Sequence, residues 1–489
     1  MTYRKTMPKI DQNSRGTCFD WECCEAILNN GTYGVVDHGP LHGPVAHFSF
    51  RRDDELRLVF ETVSAGNSAS VHEERAAGTV YEAEDEVRIE GYSGAVAIAS
   101  GVIPLQHSRK WDRDRNGETR EESQCHQLRW ESLNKKPAKY LIEWYENMPK
   151  NAGWPDLDTF NEVTSTTRVL QGKRGDIIQT AADETGSSAR SCVHLRIHGL
   201  DIVIGTSRAQ PNFIRRPGYI LYIGAPDDEL RRKIRDRLSF CLGSYLIYLG
   251  WTSFDDAWRP VAFSASSGHA LVKEADRLQG WLPAPLGLKF IPELTEERLT
   301  KQLATLLNLY DAYHLRTVFW NYWHSLAAPV HMAAAHLGAT IEGLQKSWYG
   351  RATTKLDSRL VTNNKDWQQL RENLSACIQE ANLPEEIKEL LDRKINGLNT
   401  APQNVLMERF LSGLDLQTTE LEKSAWRNRN RAAHGAGTSS QDPIRLIREN
   451  KLLTVLLHRI ILALAGGDHY FDYYSHGRPM RQLRDAPND

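Results

Sequence analysis

The hydrophobic pattern of this chain changes period for good at one proline-rich stretch, LPAPLGLKFIPEL over 282–294. Before it, apolar residues come in short runs, several alternating with period two and separated by turn formers. After it, they recur at helical spacing. One sheet or one bundle cannot accommodate both patterns. The expected fold class is therefore α+β: a β-rich domain of sandwich or barrel type over 1–285, followed by an all-α bundle over 292–480.

The strand pattern is clearest in VAHFSF (45–50), LRLVFETV (56–63), TVYEAE (79–84) and GAVAIASGVI (94–103). VHLRIHGLDIVIGT (193–206) reads as two strands joined at His198-Gly199-Leu200, and YILYIG (219–224) as another. The run RKWDRDRNGETREESQ (109–124) is dense in both charges and reads most simply as a solvated loop, with RNA contact as the other reading. One helix interrupts the strands near 228–243, with Leu230, Ile234, Leu238 and Cys241 on one face. Strand-like YLIYLGW (245–251) and RPVAFSAS (259–266) follow it, so this region is assigned to the N-terminal, regulatory domain.

In the second part, helices are expected at about 295–325, 327–349, 366–381, 384–397, 402–431 and 442–465. Thr295 ahead of Glu296-Glu297 is a start signal, as are Pro384-Glu385-Glu386 and Asp442-Pro443. LLTVLLHRIILALAGG (452–467) is broken by His458 and Arg459, too short and too charged to span a membrane, and is expected to be a buried helix.

Composition narrows the function classes. The 489 residues carry 60 basic and 62 acidic side chains, a formal net charge of -2, which argues against a protein that coats nucleic acid wholesale but leaves room for a local basic site. The seven cysteines (18, 23, 24, 125, 192, 241, 377) are odd in number and irregularly spaced, so reduced thiols are expected rather than a disulfide framework. Zinc-ligand spacing is absent, and MTYRKTMPKIDQNSRG (1–16) contains no apolar run resembling a signal peptide. A cytoplasmic protein with no membrane partner is the expectation.

The densest polar cluster is SAWRNRNRAAHGAG (424–437). On a straight helix, Arg429 and His434 would be rotated about 140° apart beyond a full turn. A helix ending near 431–433, with Gly435 and Gly437 beyond it, lets the two side chains converge. Arg, Asn and His gathered without a carboxylate pair or metal ligands suit cleavage of RNA. The substrate's 2'-hydroxyl supplies the nucleophile. A histidine moves the proton near neutral pH, and a planar arginine grips phosphate oxygens. The competing reading is an ordinary helix C-terminus, where the dipole favours Arg and His and a glycine caps the end.

The string R-N-x-x-x-H-G resembles the signature of HEPN domains, R-x(4–6)-H with a polar residue after the arginine. Arg429-Asn430-Arg431-Ala432-Ala433-His434 fits the four-residue spacing, and Arg427-Asn428 with His434 fits the six-residue spacing; the first is preferred. The layout, with a β-rich N-terminal part carrying GTYGVVDHGPLHGPVAHFSF (31–50) and SFCLGSYLIYLGWT (239–252), is similar to the ApeA-like HEPN family of anti-phage defence. The resemblance implies a cofactor-free, metal-independent endoribonuclease acting in abortive infection. It implies RNA substrates, tRNA anticodon loops among them, and a homodimer or higher oligomer whose motifs share one cleft. A phage-derived activator is implied as a possible partner. Arg429, Asn430 and His434 would be the catalytic set, with Arg427 the other candidate arginine and Arg431 an RNA contact. A HEPN bundle without activity, serving dimerisation or nucleotide binding, is the alternative.

Some HEPN branches add an acidic and a basic residue one turn apart on an earlier helix. Glu342 and Lys346 have that spacing; they orient Arg429 or touch the phosphate, or else they form a surface ion pair. Tyr470, Tyr473 and Tyr474 either stack bases or pack back onto the bundle. His194, Arg196 and His198 share one strand face, as an RNA platform or a solvated surface. His38, His42 and His47 hold little promise as metal ligands, and His324, His331 and His336 read as core or boundary residues.

Overall fold

The computed structural model describes residues 21–31, 33–65, 86–92, 94–111, 117–133, 136–149, 156–164, 167–170, 177–180, 184–207, 216–267, 284–286, 295–351, 357–433 and 443–488. The chain clusters into two compact units. One comprises Met1–Arg235, Ser244–Gly280 and Leu288–Thr300; the other comprises Asp236–Gly243, Trp281–Gly287 and Lys301–Asp489. The expected strand at 79–84, the residue Asp442 and the residue His434 lie outside the described residues.

The first unit is β-rich and antiparallel. Among the described residues, eleven strands form one sheet in the order Tyr33–Asp37, Glu86–Gly91, Val96–Ser100, Gln127–Glu131, Pro260–Ser266, Tyr248–Phe254, Tyr140–Tyr145, Gly218–Ile223, Leu200–Thr206, Glu184–Ile197, Asp156–Thr164. A four-stranded sheet runs in the order Val45–Arg52, Leu58–Ala65, Gly117–Cys125, Ile103–Trp111. Phe50, Leu58 and Phe60 of the smaller sheet bury against Val87, Ile89, Ala97, Ala99, Leu128 and Phe263 of the larger, so the core lies between two sheets. A short helix, α1 (Cys24–Asn30), adds Cys24 and Leu28 to that core.

The charged run at 109–124 is not a loop. It supplies two strands of the four-stranded sheet, with residues 112–116 outside the described ones. Its alternation is real but is written in polar letters: Thr119, Glu121 and Ser123 point inward and are buried. The buried carboxylate of Glu121 accepts from the backbone N–H of His42 at 2.8 Å and lies 3.0 Å from its Nδ1.

Helix α2 (Asp228–Leu242) carries the division between the two units. Its second half belongs with the helical unit. There Arg237 donates to the Leu303 carbonyl at 3.1 Å, and the Phe240 ring lies 5.3 Å from that of Phe319.

The helices that follow are α3 (Glu296–Leu309), α4 (Leu315–Ala327), α5 (Val330–Tyr349), α6 (Asn364–Glu380), α7 (Glu385–Gly397), α8 (Gln403–Gly413), α9 (Glu420–Ala433) and α10 (Pro443–Leu464), all in the helical unit except the start of α3 up to Thr300. Two expected long helices are each broken. The stretch 310–314 separates α3 from α4, with His314 in the left-handed region at φ 50°. The stretch 414–419 separates α8 from α9, with Asp415 at φ 55°. Thr419 then restarts the chain as a capping box: Glu422 N–H donates to its hydroxyl at 3.4 Å, and Thr419 N–H donates to the Glu422 carboxylate at 3.2 Å. Thr295 caps α3 as its sequence suggested, accepting from Arg298 N–H at 3.2 Å.

Residues Leu452 to Leu462 of α10 are all buried, which marks it as the central helix of the bundle. Of its three polar members, Thr454 donates to the Asn450 carbonyl of the same helix at 2.9 Å, and the other two are matched from other elements. Arg459 pairs with Glu422 at 2.8 Å and donates to the carbonyls of Gln417, Leu483 and Arg484. His458 Nε2 lies 2.9 Å from the Tyr322 hydroxyl. No helix among the described residues is long and apolar enough to cross a membrane.

Candidate functional site

Helix α5 packs on α4, α9 and α10, and this arrangement builds the candidate site. Small residues make the approach possible. Ala334 and Gly338 stand four residues apart on the buried face of α5, and Glu342 follows one turn later. The alkyl stem of Arg429, from α9, crosses over Gly338: a Cβ there would lie 2.7 Å from Arg429 Cδ. The guanidinium then reaches Glu342, donating from Nη2 to Oε1.

Arg429 is held on two further sides. Its Nη1 donates to the Trp426 carbonyl at 2.6 Å, and its Cζ stands 3.3 Å from the Trp426 ring centroid. Trp426 is itself buried, so the cation rests on a fixed aromatic face. Only 6% of Arg429 is exposed. Burial draws its pKa below the usual guanidinium value, and the hydrogen bond and charge of Glu342 pull it back. The group remains a cation at neutral pH.

The two arginines of the doubled Arg-Asn therefore differ sharply. Arg427 is exposed and only loosely paired, 3.5 Å from Glu420. Asn428 ties α9 to α10, donating to Glu449 at 2.8 Å, and Glu449 also accepts from Arg445 at 2.9 Å. The backbones of Asn430 and Arg431 continue α9 through Ala433, while their side chains and the whole of His434 lie outside the described residues. No convergence of Arg429 with His434 is therefore described.

Of the paired residues on α5, Glu342 turns to Arg429. Lys346, one turn later, is exposed, and no ion pair joins it to Glu342 among the described residues. Trp426 and Gly338 were not singled out from the sequence, yet both shape the setting of Arg429. Their signals were present: a Trp three residues ahead of the arginine, and small residues four apart on the facing helix.

The tyrosines do not offer a stacking platform. Tyr470 is fully buried, and its hydroxyl donates to the Asp485 carbonyl at 3.0 Å. Tyr473 is half-buried, its ring 6.5 Å from that of His458. Packing back onto the bundle is the reading these two take.

His194 and Arg196 are exposed on the strand Glu184–Ile197, His198 is exposed in the turn just beyond it at φ 51°, and Arg196 lies 3.6 Å from Asp201. His324 and His336 are half-buried with rings 6.4 Å apart, whereas His331 is exposed. No group of three or more His, Cys, Asp or Glu among the described residues is placed to hold a metal ion. Cys23, Cys24, Cys125, Cys192, Cys241 and Cys377 are all free thiols.

Comparison with family models, with characterised proteins and with solved structures finds no match to this chain.

Proposed function

We propose that this chain is a metal-independent endoribonuclease of HEPN type, acting in the cytoplasm in anti-phage defence. The observation that carries the reading is the setting of Arg429. Its cation is fixed by Glu342 and Trp426 on the helix that leads into R-N-R-A-A-H-G. A guanidinium held from two sides loses less freedom on gripping a phosphate than a solvated one does. It is the kind of group that stabilises charge developing on phosphoryl oxygens.

In the proposed reaction the RNA 2'-hydroxyl attacks the adjacent phosphorus. The bond from phosphorus to the 5'-oxygen breaks, leaving a 2',3'-cyclic phosphate and a 5'-hydroxyl. His434 moves the proton, Arg429 holds the phosphate and Asn430 places it. One motif offers one histidine, so a homodimer with two motifs in one cleft would supply both acid and base. tRNA anticodon loops are the proposed substrate. The β-rich unit is proposed to sense a phage component that releases the nuclease.

A second reading is favoured by the burial of Arg429 and its pairing with Glu342. These are also what a structural arginine in a non-catalytic dimerisation or nucleotide-binding module would show. Purified protein incubated with total tRNA and EDTA separates the two. The proposal expects discrete cuts ending in cyclic phosphate, lost in His434→Ala. Identical products from both proteins, or none from either, would favour the second reading.

A further inference from the structure

Helices α6 and α7 form a hairpin that packs principally on itself. Helix α6 buries no residue and α7 buries only Ile395. The two are fastened by Ser375 Oγ donating to Asp392 at 2.5 Å and by Lys388 Nζ donating to the Gln379 carbonyl at 3.0 Å. Beside that contact α7 leaves an apolar stripe open. Ile387 is 42% exposed, Leu390 51% and Leu398 53%. With Lys394 they fall within an arc of about 80° at helical spacing.

The charges along this stripe are arranged about its centre. Glu386 lies four residues before Leu390 and Lys394 four residues after it, and both are exposed. Neither takes part in an ion pair among the described residues, whereas their neighbours do: Lys388 with Glu385, and Arg393 with Glu389.

We propose that a second copy of this chain docks on α7, in an antiparallel two-fold pairing centred on Leu390. A two-fold contact is isologous, so each position meets its mirror position on the other copy. Leu390 then packs on Leu390, flanked by Ile387. Glu386 of each copy meets Lys394 of the other, twice. A parallel pairing would set Glu386 against Glu386 and Lys394 against Lys394. Opposite, unpaired charges at equal distance from a central apolar residue are a self-complementary pattern, and that favours a second copy over a foreign helix. The chain's net charge of -2 opposes the encounter only weakly. One helix pair belongs to the small interface class, below about 1,200 Å², so the association is reversible and concentration-dependent. The inference is independent of any action on RNA.

Sedimentation of the 489-residue chain from about 1 to about 100 μM tests it, a range chosen for micromolar association. The mean mass is expected to rise with concentration above its value at the dilute end, which is 55.5 kDa for a single chain and twice that for a pair joined through the proposed motif. Leu390→Asp is expected to abolish this rise, and it leaves any pairing through the proposed motif untouched. Glu386→Lys and Lys394→Glu, each alone, are expected to weaken association by about tenfold or more through like-charge contacts. The double variant is expected to return within about threefold of the parent, because the pair is rebuilt with its signs exchanged. Far-UV circular dichroism of each variant guards against loss of the hairpin. A parent whose mass does not change over this range overturns the proposal. So does an association indifferent to Leu390→Asp, or a double variant no better than the singles.

Discussion

Gly338 lies so close beneath Arg429 that a Cβ at that position would stand 2.7 Å from the arginine Cδ and 3.2 Å from its Nε. The clash falls on the middle of the side chain, not on its free end. Gly338→Ala should therefore displace the guanidinium from Glu342 rather than be absorbed by it. Alanine gains about 1 kcal/mol of helix propensity, while overpacking costs about 1–3 kcal/mol. The net change in stability is expected to be small, within about 2 kcal/mol. Cleavage of tRNA by the proposed nuclease should fall much further, by about tenfold or more. A thermal melt and a cleavage assay on the same preparation separate the two effects.

The Arg429–Glu342 pair should be worth far more than the pair made by Arg427. Glu342→Ala leaves a buried cation without its carboxylate, and such a loss costs about 1–3 kcal/mol when burial is incomplete. Arg427 and Glu420 are both exposed, so Arg427→Ala should shift stability by no more than about 0.5 kcal/mol. Urea titrations of the two variants give the comparison. Equal effects would mean that Glu342 does not hold Arg429 in solution. The same variants address the register of the motif: Arg429→Ala should silence cleavage and Arg427→Ala should not.

The division into a β-rich part and a helical part was legible because it rests on periodicity, which each unit must obey to build a core. What could not be read was mostly local geometry set by tertiary contacts. The breaks at His314 and Asp415 contain neither Gly nor Pro, and non-glycine residues in the left-handed region announce themselves poorly. One signal was there to be used: Thr419 and Glu422 spell a capping box. The strand over 117–125 was hidden because its inward positions before Cys125 are Thr119, Glu121 and Ser123, so the alternation within the charged run carried no hydrophobic letter. Glu342 and Lys346 showed the spacing of a pair within one helix. The partner Glu342 takes is 87 residues away; no pattern within α5 encodes that contact, and the expectation that Glu342 orients Arg429 came from the family resemblance alone.

His458 should make the helical unit sensitive to acid. Burial pushes its pKa from the ordinary 6.5 down to about 3, so the folded protein keeps it neutral. Between those values the unfolded chain binds the proton and the folded one does not. Its contribution is therefore fully present above pH 6.5 and is lost as pH falls toward 3. From pH 7 to pH 5 the loss amounts to about 2 kcal/mol. Chemical denaturation at the two pH values, on the parent and on His458→Gln, isolates it, because every other titrating group is common to both chains. The variant should be less stable at pH 7 and show a shallower fall. Parallel curves would mean that His458 is reached by water and titrates normally.

Arg459 should be the least replaceable polar residue of the helical unit. It is fully buried and its carboxylate partner, Glu422, nearly so. Burial raises the pKa of Glu422, while the arginine beside it works in the opposite direction. The guanidinium also collects the carbonyls of Gln417, Leu483 and Arg484, so one side chain joins the start of α9 to the C-terminal segment through α10. Arg459→Ala strands a buried carboxylate and leaves those three carbonyls without this donor, at a cost of about 3–5 kcal/mol. Much of a typical domain's stability would be gone. Arg459→Met, tested together with Glu422→Leu, removes both charges and fills similar volume, so it should recover a large part of that loss. Limited proteolysis reads the local consequence: cleavage after Arg478 or Arg481 should appear early in Arg459→Ala and late in the parent. If the segment resists protease equally in both, it is held by the apolar packing of Tyr470 and Leu483 and not by the arginine.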